Sequence, residues 1–375
     1  MATCDVAGRH MTSGGHEGDD RGAAARACSV HRIGVMTIRR SMAAVVCLTL
    51  VLAFALPVRG AGPRGGAPTV SPRPTLGDIS ARPRGGPGGP TLPGATNCGT
   101  FPTTNVWNVR IDGRSVAVNS GTLISTIGLD KGLHMDFGSY AGYGIPYQVV
   151  SAATPRSTVT FQYDDESDQV GYPIPTSPLI EGNGPPTSTS GDRHILMVDR
   201  DACWLYELYA AHKVGSQWHA GSGATWDLRS NALRPAGWTS ADAAGLPILP
   251  GLVRYDEVLK GEIKHALRFT TDRTRTQYIY PARHQAGESN NAALPPMGLR
   301  VRLISTYDTS GFSAQARPIA EALKRYGMIL ADNGSDRYIS GASDPRFDDD
   351  VLHELDVIHG SDLEVVDTAG LVNGP

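Results

Sequence analysis

Gly191–Tyr209 reads GDRHILMVDRDACWLYELY. Two alternating runs flank an Asp/Arg-rich turn, a pattern that predicts a β-hairpin. His194, Leu196 and Val198 alternate on the first strand; Cys203, Leu205 and Glu207 alternate on the second. If the turn is Asp199–Ala202, a loop of two or of four residues gives one register: Val198 faces Cys203, Leu196 faces Leu205, and His194 faces Glu207. Residues directly across an antiparallel pair lie within side-chain reach. Burial on a shared apolar face would shift both pKa values. The pair has two readings. Either Glu207 is a general acid or base oriented by His194, or the two form a buried hydrogen-bonded pair that fixes register.

The same alternation recurs along the chain. Arg156–Tyr163, Gly261–Thr270, Gln277–Ala282 and Leu299–Ile304 read as further strands between Gly, Pro, Asn and Asp clusters. Asp332-Asn333-Gly334 reads as a hairpin turn joining Met328–Ala331 to Arg337–Ile339. Helical pattern is scarce. Ser313–Tyr326 carries an apolar stripe of Ile319, Ala322, Leu323 and Tyr326 and stops at Gly327. Shorter helices are expected over Val253–Leu259 and Asp348–Leu355. The expected fold class is therefore mainly β: an antiparallel β-sandwich or jelly-roll-like core with long loops and two or three short helices. Tyr172–Ser190 and most of Thr225–Pro250 read as long loops, which are usually functional or mobile.

The N-terminal region has a different composition. Met36 to Arg40 gives a basic stretch, Ala43–Leu56 an apolar one, and Val58-Arg59-Gly60 small residues at a cleavage site. Residues 36–60 thus read as a signal peptide, implying secretion, with no membrane span left in the mature protein. Residues 1–35 read as an extension outside any fold, and 61–95 as a Gly/Pro-rich disordered linker. Residues 96–375 read as a single β-rich domain. Removing the leader takes away Cys4, Cys28 and Cys47, so Cys98 and Cys203 are expected to form one disulfide, with two free thiols as the alternative. A net charge of −3 without a basic block argues against nucleic acid as the partner.

Several residues are candidates for chemistry. His194 and Glu207 come first. Asp227 follows Trp226 in GSGATWD, and an acid beside an indole suits a sugar, with a cap or turn role as the structural alternative. His265 shares a face with Ile263, Leu267 and Phe269 and is either catalytic or a satisfied core histidine. Arg268, on the opposite face, is either available for an anionic group or merely solvated. Tyr278, Tyr280 and His284 line one face of YIYPARH, as a glycan cleft or as sheet packing. Asp256 and Glu257 sit on a short helix, and Glu257 could supply a second carboxylate. Thr239 to Asp242 resembles a catalytic cluster but is also a capping box. Asp164–Asp168 and Asp348–Asp350 read as solvated charge rather than calcium loops.

There is no HExxH, Walker A, GxSxG or strand-borne GxGxxG. No cofactor or metal is expected. His194, His265, His284 and Glu207 offer no closely spaced ligand pair for zinc.

The segments GLPILPGLVRYDEV, HALRFT, LPPMGLRVRL and YGMILADNG resemble a family of secreted bacterial proteins without an assigned activity. The resemblance runs from about Phe101 onward. It implies one folded unit and carries over no catalytic residue.

These readings converge on a secreted carbohydrate-active enzyme that hydrolyses glycosidic bonds in a polysaccharide. Glu207 and Asp227 would be the acid/base pair, with His194 and His265 orienting them. Trp226, Arg268, Tyr280, His284 and Glu257 would bind the glycan. A non-catalytic glycan-binding or cell-surface module and a polysaccharide lyase are the alternatives.

Overall fold

A computed structural model describes residues 88–371. The expected extension (1–35), the signal peptide (36–60) and most of the linker lie outside the described residues. The linker's last residues do not: Thr91–Leu92 pairs with Ala95–Gly99, so the expected boundary at residue 95 falls inside that ribbon.

The first strands are β1 (Thr91–Leu92), β2 (Ala95–Gly99), β3 (His134–Asp136), β4 (Tyr147–Val150) and β5 (Val159–Phe161). Then come β6 (Ile195–Asp199), β7 (Trp204–Tyr209), β8 (His212–Val214), β9 (Gln217–Ala220) and β10 (Ser222–Asp227). The C-terminal half adds β11 (Leu267–Thr271), β12 (Arg300–Leu303), β13 (Met328–Asn333), β14 (Tyr338–Ser340) and β15 (Leu363–Val365). The four α-helices of the described residues are short: α1 (Ser120–Ile127), α2 (Tyr255–Leu259), α3 (Ala316–Arg325) and α4 (Asp349–Leu352).

Mainly strands with few short helices is the class expected from sequence. The strands form a β1-β2 ribbon and three larger sheets, ordered β5-β9-β8, β10-β7-β6-β4 and β15-β12-β13-β11-β14-β3. The sheets are mixed rather than antiparallel throughout: β4 runs parallel to β6, β5 to β9, β11 to β13 and β14 to β3.

The predicted hairpin forms and is buried on both faces. Leu196, Val198, Leu205 and Trp226 join the core shared with Leu267, Phe269, Val301 and Leu330. Ile195, Met197, Tyr206 and Leu208 join a second core with Val159, Phe161 and Trp218. The four-stranded sheet is therefore a middle layer, apolar on both sides. Truncating a side chain there, such as Leu196→Ala, should cost roughly 2–5 kcal/mol.

Its register differs from the expectation. Asp199 pairs with Trp204 and Leu196 with Glu207, so the loop is Arg200–Cys203. Cys203 takes a left-handed φ of 53° and belongs to the turn. The shift is by two residues, so each side chain keeps its face. His194 therefore lies beside Tyr209, ring centroids 5.7 Å apart, and not opposite Glu207. Cys203 is bonded to Cys98, tying the loop to β2.

Two other expectations fail. Met328–Ala331 and Arg337–Ile339 are not a hairpin, because β11 lies between β13 and β14. Asp332 and Asn333 extend β13 instead of turning. YIYPARH is not a strand either; only Tyr278 makes an isolated bridge, to Met297. Pro281 has no N–H to give to a ladder. The three predicted helices do form, with α3 ending before Gly327 and Asp348 capping α4 through Val351 N–H. No helix among the described residues is long and apolar enough to cross a membrane.

Candidate functional site

The ends of two sheets meet at a cleft of about 450 Å³. Asp192 precedes β6, Tyr209 ends β7 and Ser222 begins β10, so the middle sheet presents one end to the cleft. Asp332 and Asn333, at the C-terminal end of β13, face it from the six-stranded sheet. Thr239–Ala243, His284, Tyr163 and Glu166 complete the lining from loops.

Arg268 organises the floor. Its Nε and Nη2 each donate to Asp242 over 2.7 Å, a bidentate pair. Nη2 also reaches Asp332 Oδ2 at 3.3 Å, and Nη1 donates to Ser340 Oγ. The side chain of Asp242 is fully buried, whereas that of Asp332 is 28% exposed. Burial pushes the Asp332 carboxyl up, Asp242 beside it adds to the effect, and Arg268 pulls back only in part. The result is about 7, so this group holds a proton near neutrality and can reach solvent. A carboxyl poised near the working pH is suited to general acid–base chemistry.

His194 supports the floor from behind. Nδ1 lies 2.6 Å from Glu181 Oε2 and Nε2 3.0 Å from the Ala241 carbonyl. Both neighbours are acceptors, so the charged ring satisfies both. Burial alone would lower its pKa, but Glu181 reverses that and lifts it to about 9. The same contact holds the Glu181 carboxyl below its usual range despite burial. His194 does not line the cleft itself; it bonds the carbonyl of Ala241 and packs beside Tyr209, both of which do.

The other expected residues lie elsewhere. Glu207 is fully buried and accepts from the N–H groups of Ile248 and Leu249, where a 3-10 turn begins. Burial pushes its carboxyl up to about 7 against the pull of those two amides. It anchors a loop and does not line the cleft. Asp227 ends β10, five residues beyond Ser222, or roughly 16 Å at strand spacing. Its Oδ1 binds Arg229 N–H and Nε. Trp226 is packed in the main core, which leaves no face for a sugar.

His265 is fully buried between Glu257 and the Ala266 carbonyl, and Glu257 also pairs with Arg254 at 2.8 Å. That triad is a core feature. Tyr280 is half-buried against the main core, and burial pushes its hydroxyl up to about 12. Arg268 binds its two aspartates and is not open to an anionic ligand. Of the expected set only His284 lines the cleft, with Nδ1 donating to Ala243 O at 2.9 Å.

Asp332, Asp242, Glu166, Asp192 and Tyr209 were not foreseen as a site. Asp332 had been read as a turn residue and Asp242 as part of a capping box. The capping box is not made: the Asp242 carboxylate goes to Arg268, while Ser240 Oγ bonds its main chain. Small polar residues before an acid were the available signal at Thr239–Asp242. Among the described residues no group of three or more His, Cys, Asp or Glu side chains is placed to hold a metal ion. No known protein family, curated protein or solved structure matches the chain.

Proposed function

We propose that the chain is a secreted carbohydrate-active enzyme that hydrolyses a glycosidic bond by carboxylate acid/base catalysis at the Asp332 cleft. The observation that carries the reading is the Asp242–Arg268–Asp332 arrangement: two acids share one guanidinium, and only the one with its pKa near 7 meets solvent. Asp332 gives its proton to the leaving glycosidic oxygen as the C–O bond breaks. Water adds to the anomeric carbon, and a second carboxylate takes the proton that water releases.

Glu166 is assigned that second role. It lines the cleft, and its Oε2 is held by the Thr239 N–H at 2.8 Å. Its main-chain carbonyl is fixed by Arg234 Nη2 at 2.7 Å, so the group is oriented before substrate arrives. Tyr163 and Tyr209 supply flat, polar-tipped walls for a sugar ring. The Cys98–Cys203 disulfide supports an oxidising compartment, in keeping with export.

A lyase acting on uronates is less well supported, because Arg268 is occupied by two aspartates and Arg283 Nε donates to the Arg234 carbonyl. The test is a product-resolved screen of bacterial and plant polysaccharides. New reducing ends, lost in Asp332→Asn, are expected. Binding without any product selects the non-catalytic module, and products with a new double bond select the lyase.

A further inference from the structure

We infer that the glycan taken by this cleft is cationic, carrying a free ammonium group as a deacetylated amino sugar does. The inference rests on the glycosidic reading of the site and adds the charge of its substrate. Acidic side chains reach the lining from three separate segments, as Glu166, Asp192 and Asp332, while no lysine or arginine among the described residues is part of it. Two arginines that bond lining residues are turned to other tasks. Arg268 is bound to Asp242 and Asp332. Arg234 lies behind the wall, holding Asp168, the Glu166 carbonyl and the Thr239 carbonyl, with its guanidinium over Trp226 and Trp238.

Tyrosine in the same lining is an independent feature. Tyr163 is 46% exposed, and the half-buried Tyr209 stands across the β7 end of the cleft. Aromatic faces beside carboxylates attract an ammonium group through both cation–π and direct ionic contact. They do nothing comparable for a neutral acetamide, and the carboxylates repel a uronate. Asp192 is the exposed carboxylate of the set, so it can meet a ligand cation without breaking an internal bond. Water between such groups screens them, so the preference must weaken with salt.

The experiment compares two β-1,4 oligosaccharides of one length, fully deacetylated and fully N-acetylated, binding the whole chain by calorimetry. The deacetylated oligomer should bind about tenfold tighter at low salt and no more than about threefold tighter in 0.5 M sodium chloride. Asp192→Asn should cut the low-salt preference by about threefold. Equal or tighter binding of the N-acetylated oligomer overturns the inference, as does a preference that neither salt nor Asp192→Asn changes. Cleavage of neutral glycans with no ammonium preference overturns the charge inference alone. Ammonium-selective binding with no cleavage of any glycan instead sinks the hydrolytic reading and leaves the recognition standing.

Discussion

Asp332 Oδ2 lies 3.3 Å from Nη2 of Arg268, a longer and single contact beside the two 2.7 Å bonds that Arg268 makes to Asp242. The grip on the two acids is unequal. Asp242 is buried and held twice, while Asp332 is held once, partly exposed and pushed up to about 7. Burial and the neighbouring Asp242 thus leave the Asp332 carboxyl about half protonated at neutral pH, against the pull of Arg268.

Asp332→Asn should lower turnover by roughly 10²–10⁴-fold with the fold intact. In the parent protein turnover should fall as pH rises through about 7, since a general acid acts only while protonated. Circular dichroism checks the fold, and a pH series of turnover checks the limb. Retention of that limb in the variant would contradict the assignment.

Asp227→Asn should keep activity within about twofold, because Asp227 sits at the far end of β10 and pairs with Arg229. Glu207→Gln should act on stability. With the glutamine oxygen in the place of Oε1, which accepts from Ile248 and Leu249, the new amide replaces Oε2 and turns a donor toward the Ile248 N–H, which should cost about 1–3 kcal/mol. Urea titration alongside a steady-state assay separates the two effects.

His194 gives stability a sign with pH. Its pKa is about 9 in the fold against 6.5 as a free side chain, so the folded state holds the proton more tightly. The contribution is fully present below about 6.5 and is lost as pH rises through about 9. It is on the order of 3 kcal/mol. Glu207 acts in the same direction at lower pH: its raised value makes stability fall between about 4.5 and about 7. Thermal unfolding from pH 5 to 10 should show a falling midpoint, flattened at the alkaline end in His194→Gln. A midpoint that rises between pH 7 and 9 would contradict this account.

The disulfide closes a separation of 105 residues. Cys98→Ala with Cys203→Ala should cost about 2–4 kcal/mol by freeing the unfolded chain. Denaturant midpoints measured with and without reductant should differ for the parent and coincide for the double variant.

The sequence revealed the strands of the hairpin because Leu205 and Glu207 alternate with Trp204 and Tyr206, a period of two. It also revealed the β-rich class, helix α3 and the Cys98–Cys203 bond. The register was hidden because Asp199 stays in its strand while a left-handed Cys203 joins the turn, a displacement of the loop that shifts the pairing by two and that no local pattern announces. DNG looked like a turn because its residues favour one. In the fold β11 pairs with β13 there and keeps the chain extended through Asn333. The site was hidden for a related reason. Asp242 and Asp332 stand 90 positions apart and meet only because Arg268 lies on the strand beside β13. His194 and Glu207 looked like a pair because they share a face, but each is satisfied by a loop the pattern could not place: Glu181 for one, Ile248 and Leu249 for the other.

Leaving-group dependence tests the central claim most directly. Hydrolysis of an aryl glycoside with a nitrophenolate leaving group needs little help from an acid, whereas a sugar alkoxide needs much. Parent and Asp332→Asn are compared on both, using the sugar that the polysaccharide screen identifies. If Asp332 is the proton donor, the variant loses roughly 10²–10⁴-fold on the glycan and far less on the aryl glycoside. Equal losses on both substrates, or full activity on the glycan, would contradict it.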